Sequence, residues 1–342
     1  MLGCVTTPAT QPPPARSPTL PDPSLRPEPV PPEDVFVSPE ERTVEDAFIL
    51  DLYTWLHRKD YETFRIWFPG SIHERSIAHL LIPPGPGPHP TVVVFPILAG
   101  SHTVSEMLAK TLVNRGFLVA RLERPKMELD TTEDTEEPVK ALRSALMDAR
   151  RLLDILEWRE DVDRSRIAAA GISVGGILAC LLQGTDERVS AGIYIMPGGD
   201  VARILSDSTE RPIRAFRDHV MEREGLDVEG FVQRMRPLLE DLDPLRYAGS
   251  IDPESVYLAS SRFDRVIRPE HTAVLWEALG QPSWTQMPIG HYQLLPLFWW
   301  AVHRGSDHLE AFFSESATEP DDTLATPPAV PGGGPQLGSA TP

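Results

Sequence analysis

Cysteine is almost missing from this 342-residue chain, which contains only Cys4 and Cys180. That excludes a disulfide framework and any zinc site built on several cysteines. Cys180 falls in an apolar helical stretch and reads as a small core residue. Long hydrophobic runs are missing too. A membrane-spanning helix needs about 18 or more apolar residues in a row, and the greasiest stretch, Leu294 to Val302, is interrupted by Pro296 and flanked by His291 and His303. Positive charge is scarce: 32 Lys and Arg stand against 50 Asp and Glu, a formal net charge of −18 with a pI near 5.0. Phosphate backbones repel such a polyanion, so nucleic acid is not expected as a partner.

Proline, by contrast, is abundant and unevenly spread. About a third of the 36 prolines precede Glu40, a density that a packed core does not tolerate. Residues 1–40 are therefore expected to be a disordered, Pro-rich segment, extended at about 3.1 Å per residue in polyproline II geometry. Residues 314–342, rich in Pro, Gly, Ser and Thr without hydrophobic periodicity, read as a second disordered tail. The remainder, 41–313, suits one large α/β domain, with 41% hydrophobic and 24% charged residues over the chain.

Within that domain the hydrophobic period alternates between helix and strand. Val44 to His57 has helical periodicity, and Phe64 to Phe68 with Ser76 to Ile82 suggest an antiparallel opening hairpin closed off by the Pro-Gly cluster 83–90. Thr91 to Phe95 is a continuous apolar, β-branched run of the kind buried on both faces of a parallel sheet. Helix 104–114 then leads to strand 117–122, helix 138–157 to strand 167–170, and helix 174–183 to strand 191–196. The rhythm breaks from about Gly198 to Ile251, where charged helical segments with no strand suggest an inserted cap. It resumes with strand 256–259, helix 270–279, strand 284–287 and a closing helix, about 294–313. Such alternation implies right-handed crossovers and a mainly parallel, doubly wound sheet with helices on both faces.

The most informative local feature is Gly171-Ile172-Ser173-Val174-Gly175-Gly176, a G-x-S-x-G sequence directly after a buried strand and directly before a helix. A serine at that turn is projected above the sheet, and the glycines keep neighbouring elements clear. A serine hydroxyl is a poor nucleophile at neutral pH and needs a base, which in turn needs an orienting carboxylate. Asp264 lies at the carboxyl end of strand 256–259 and His291 in the loop after strand 284–287, 27 positions later, at the sheet edge where ligands meet a parallel sheet. Ser173, Asp264 and His291 are therefore the catalytic candidates. His102 follows the first parallel strand and is a pocket-lining candidate. His57, His219, His303 and His308 fall on helical stretches, and His73, His79 and His89 lie in the opening hairpin and its turn. Asp243 and Asp252 adjoin prolines and read as turn or cap-end residues.

Strand order, the Ser173 elbow, Asp264 followed by Val266 and Pro269, and Gly290-His291 together resemble the α/β-hydrolase superfamily, with a similarity to its dienelactone hydrolase and esterase-like branches, over about Phe64 to Phe313. The resemblance implies a serine hydrolase that cleaves a carboxylic ester of a small-molecule substrate through an acyl-enzyme, with no metal and no cofactor. It also implies an oxyanion hole made by the Val174 N–H and, in the loop Phe95-Pro96-Ile97-Leu98-Ala99-Gly100-Ser101, by the Leu98 N–H, with Ile97 as the fallback. Many relatives carry His-Gly in that loop and this chain does not. Serine peptidase and acyltransferase chemistry share the fold, and a non-catalytic, surface-tethered binding protein is the alternative of a different class.

The opening Met1-Leu2-Gly3-Cys4 resembles the end of a bacterial lipoprotein signal. That resemblance implies lipidation at Cys4, an upstream start, a cell-envelope location and a proline-rich tether holding the domain off the membrane, which would touch lipid only through that anchor. A cytoplasmic protein with an incidental Cys4 is the alternative.

Overall fold

The computed structural model describes residue 25 and residues 27–40, 60–71, 74–97, 103–123, 136–293 and 295–316. Cys4, Leu98, His102 and the helix expected over 44–57 lie outside them.

Runs of β-branched and small apolar residues build the centre. Strand β4 (His89–Val94) has Val92, Val93 and Val94 wholly buried, and β6 (Val162–Ile172) contributes Ala168, Ala169 and Ala170. With β1 (Phe36–Pro39), β2 (Glu62–Phe68), β3 (Ser76–Ile82), β5 (Leu118–Leu122), β7 (Ala191–Ile195), β8 (Val256–Ser261) and β9 (Ser283–Met287), they form one sheet in the order β1-β2-β3-β5-β4-β6-β7-β8-β9. Strands β5 to β9 run parallel with β4, while β1, β2 and β3 join antiparallel at one end. This is the mainly parallel, doubly wound architecture expected from the alternation.

Helices α1 (Thr103–Asn114), α2 (Glu137–Glu157) and α3 (Val174–Thr185) alternate with the parallel strands. In α2, Val139, Leu142, Leu146, Ala149, Leu153 and Leu156 recur every three or four residues and are buried, so one stripe of the helix meets the sheet. Between β7 and β8 stand α4 (Val201–Asp207), α5 (Arg211–Glu224) and α6 (Val228–Leu239), followed by short 3-10 turns. The apolar faces of α5 and α6 pack through Phe216, Phe231, Met235 and Leu239 into the same core as α2 and α3, the Phe216 and Phe231 rings meeting edge to face at 6.3 Å. Helix α7 (Pro269–Ala278) follows β8, and α8 (Leu295–Ser316) joins α1 on the opposite face of the sheet. The closing helix thus continues into the stretch 314–316 expected to belong to the tail. Cys180 is buried within α3, and burial pushes its thiol up to about 12. Among the described residues no helix is long and apolar enough to cross a membrane.

The proline-rich segment departs from expectation. Rather than being free to Glu40, it is engaged from Leu25 onward. Leu25 and Val30 are buried in the core shared with α2, and the Arg150 guanidinium donates to the carbonyls of Leu25 and Thr185. Residues 36–39 pair antiparallel with β2, from Phe36 opposite Trp67 to Pro39 opposite Phe64. Proline is tolerated there because an edge strand leaves one row of N–H groups unpaired.

Beyond that strand, the Glu40 carboxylate accepts from Arg65 at 2.9 Å and faces His79 Nδ1 at 2.7 Å, while His79 Nε2 faces Glu123 at 2.6 Å. The hydrogen bond from His79 is the largest cause holding the Glu123 carboxyl below its ordinary value. The folded state therefore gains stability from Glu123 above the unfolded value, about 4.3, and loses it as the pH falls through the lower folded value. Glu123→Gln is expected to lower the urea midpoint near neutral pH, with the gap to the parent protein narrowing below about pH 4. A gap that stays constant across this range would remove the linkage.

Candidate active site

Ser173 directly follows β6 and stands at the N-cap of α3 with φ 58° and ψ −123°, a conformation that non-glycine residues rarely hold. Three backbone contacts enforce it. Ser173 N donates to Ile195 O on the neighbouring strand at 2.8 Å, and Ser173 O accepts from Gly176 N at 2.9 Å and Ile177 N at 3.1 Å. The flanking glycines are there for space: a Cβ on Gly171 would collide with the Gly175 carbonyl, and one on Gly175 would sit 2.8 Å from Pro96 O and 3.1 Å from Phe95 O. These obstacles are backbone atoms with little freedom to retreat. Gly175→Ala should lower stability by roughly 1–3 kcal/mol, read as a drop in urea midpoint, and a midpoint equal to that of the parent would show that the turn is looser than drawn. The Val174 N–H, in the first turn of α3, donates to no acceptor among the described residues, as expected of the orphan donors at a helix start.

Two of the catalytic candidates, Asp264 and His291, are brought together. His291 Nδ1 lies 2.7 Å from Asp264 Oδ2, and the Asp264 side chain is only 1% exposed. A carboxylate only accepts, so Nδ1 carries a hydrogen, and in the neutral ring Nε2 then keeps its lone pair. Asp264 Oδ1 accepts from Val266 N at 2.8 Å and Ile267 N at 3.0 Å, which fixes the carboxylate that faces His291. The two loops are joined directly: Arg262 N donates to Met287 O at 2.8 Å and Phe263 N to Ile289 O at 2.9 Å. A hydrogen bond between the Ser173 hydroxyl and His291 is not among those made by the described residues; the two share the carboxyl-end edge of the sheet, after β6 and after β9.

Leu98 and His102 lie outside the described residues, while Ile97 is partly buried beside β4. Asp243 and Asp252 act as turn carboxylates: Asp243 accepts from the N–H groups of Asp200, Val201 and Leu245, and Asp252 from Glu254 N. Burial raises the Asp243 carboxyl above its ordinary value. Among the described residues no group of three or more His, Cys, Asp or Glu side chains is arranged to hold a metal ion.

Two supporting features left no local mark in the sequence. Met196, directly after β7, also takes a positive φ of 50°; its N donates to Ala259 O at 2.6 Å and its sulfur accepts from the Ser261 hydroxyl at 3.1 Å. Thr209, between α4 and α5, donates through its N at 3.1 Å and its Oγ1 at 2.9 Å to the carbonyl of Arg265, bracing the loop that carries Asp264 from the segment inserted between β7 and β8. Both are tertiary contacts between segments far apart in the chain.

Comparison with solved structures finds the same architecture elsewhere. An acetyl xylan esterase from a Paenibacillus species is similar with a TM-score of 0.63 and 19% identity, over 83% of this chain and 89% of that one. Acetyl xylan esterase 1 from a Thermoanaerobacterium species follows at 0.56 and 16% identity, over 84% and 96%. The acylaminoacyl peptidase of Pyrococcus horikoshii reaches 0.55 and 16%, over 82% of this chain and 46% of that one. Among curated proteins, uncharacterized proteins from two strains of Mycobacterium tuberculosis are 26% identical over 168 residues, 49% of this chain and 38% of theirs. The match thus spans well under half the length of those relatives. No family model matches the chain.

Proposed function

From an α/β-hydrolase fold, the architecture common to this chain and those esterases, we propose that the protein is a serine hydrolase that cleaves a carboxylic ester of a small-molecule substrate. The observation that carries this reading is the Asp264–His291 pair, its carboxylate buried and its imidazole oriented by it, at the same sheet edge as a serine held at positive φ.

In this reading, Nε2 of His291 takes the proton from the Ser173 hydroxyl as its oxygen attacks the ester carbonyl. Asp264 holds the ring in the required tautomer and stabilises the imidazolium that forms. The Val174 N–H, with Leu98 or Ile97 from the β4 loop, donates to the oxyanion; one such donor is worth about 3–4 kcal/mol in a serine hydrolase. His291 returns its proton to the leaving alcohol. It then activates water, which releases the acid and restores the serine.

The test is covalent labelling. A fluorophosphonate probe should add one adduct per chain, mapped to Ser173 by peptide mass spectrometry and blocked by prior heat unfolding. A folded protein that takes no label would favour a non-catalytic binding role. Cleavage of acyl-peptide bonds is the second reading, favoured by the similarity to the acylaminoacyl peptidase, and turnover of acyl-peptide anilides faster than esters of the same acyl group would establish it. Lipidation at Cys4 remains part of the proposal, and incorporation of a labelled fatty acid that is lost in Cys4→Ser checks it.

A further inference from the structure

The chain's charge reverses locally beside the Asp264–His291 pair. Against a net charge of −18, the loop between β8 and α7 carries three arginines, Arg262, Arg265 and Arg268, and its aspartate, Asp264, is buried and committed to His291. The cap adds more. Because Thr209 is bonded to the Arg265 carbonyl, the start of α5 lies against this loop, and it carries Arg211 and Arg214 one helical turn apart. Arg268 is engaged by Asp207 at 3.5 Å, which also faces His271 at 3.4 Å, and Arg217 by Asp218 at 2.7 Å. Arg211, Arg214, Arg262 and Arg265 are exposed, and no carboxylate lies within ion-pair distance of them among the described residues. On the same segments the uncommitted carboxylates are Glu210 and Glu270, so positive charge is in excess.

Exposed aromatics accompany the arginines. Phe263, next to Asp264, is 61% exposed, with the Arg262 guanidinium over its ring at 5.8 Å from the centroid. Tyr292, next to His291, is 71% exposed and stands edge-on to the imidazole at 5.4 Å. Exposing two large rings costs apolar hydration unless a ligand covers them, and a guanidinium stacked on a ring is well placed to take a carboxylate with its free edge.

We propose that this surface beside the Asp264–His291 pair selects an aryl ester bearing a carboxylate: Phe263 and Tyr292 cover the ring, Arg262 and Arg265 take the anion, and Arg211 and Arg214 draw it in against the field of the whole protein. The inference rests on the esterase reading and names its substrate class. Para-acetoxybenzoate and its neutral methyl ester are suitable probes. In the full chain, the ratio of kcat/KM for the acid to that for the methyl ester should fall about tenfold in Arg262→Gln/Arg265→Gln. A similar fall is expected in the parent when salt rises from about 20 to about 500 mM.

A binding arm keeps the two readings apart. In Ser173→Ala, calorimetry should find the acid bound about tenfold more tightly than its methyl ester, whether or not the parent hydrolyses either. Preference for the acid without hydrolysis would uphold the anionic site and overturn the esterase. Hydrolysis with equal binding of both probes, or a ratio unchanged within about twofold in the double variant, would overturn the anionic site and leave the esterase standing.

Discussion

Ser173→Ala is expected to reduce kcat for p-nitrophenyl acetate by at least about ten-thousandfold while the protein stays folded. Among the described residues on this sheet edge the proposed nucleophile has no free substitute. The next hydroxyls along this sheet edge, Ser260 and Ser261, are buried and occupied, Ser260 accepting from the Trp284 indole at 2.8 Å and Ser261 donating to Met196 at 3.1 Å. The backbone contacts that hold the turn, from Ser173 N to Ile195 O and from Gly176 N to Ser173 O, do not involve the hydroxyl. The urea midpoint should therefore stay close to that of the parent, which separates lost chemistry from lost structure. Any remaining rate would come from binding and from oxyanion donors such as the Val174 N–H. A variant that keeps more than about a tenth of the activity would end the assignment.

Asp264→Asn should cost about ten-thousandfold in kcat as well, for a different reason. The native carboxylate accepts three hydrogen bonds, from Val266 N, Ile267 N and His291 Nδ1. A carboxamide has only one accepting oxygen. If that oxygen keeps the two backbone N–H groups, the NH2 faces His291 and forces hydrogen onto Nε2, so the ring presents a donor to Ser173 where a base is required. If the amide turns round, its NH2 points at two backbone donors and the loop must open. The first outcome lowers kcat at nearly unchanged stability. The second lowers the urea midpoint as well, and measuring both quantities on one preparation tells them apart. A loss smaller than about tenfold would show that His291 is oriented by something else.

Much of this arrangement could be read before the structure, because its signals are local. Val92–Val94 and Ala168–Ala170 are buried on both faces, which leaves uninterrupted apolar runs, and α2 carries a regular apolar stripe. The G-x-S-x-G turn needs small residues within one contiguous stretch. Asp264 and His291 each follow a recognisable strand, so topology alone brings them to the same edge.

The unread parts depend on partners far away in sequence. Composition made residues 25–40 look free, since the prolines are visible and the anchors are not. Arg150, His79 and Arg65 lie 125, 39 and 25 positions from the groups they hold. The positive φ of Met196 and the Thr209 brace are likewise imposed by neighbours rather than by any propensity of their own. The four arginines on and beside the loop of Asp264 leave no local signal for the same reason, being divided between the start of α5 and a loop some 50 residues further along.

The anchoring of residues 25–40 also bears on how the molecule would carry a load. A pull on the chain ahead of Leu25 meets the Arg150 clamp first and then β1, which must slide along β2 and shear several hydrogen bonds at once. That strand lies at one end of the sheet, and β8 and β9, which support Asp264 and His291, lie at the other. Tension is therefore taken up by the β1–β2 edge, and the geometry around His291 is mechanically insulated from it.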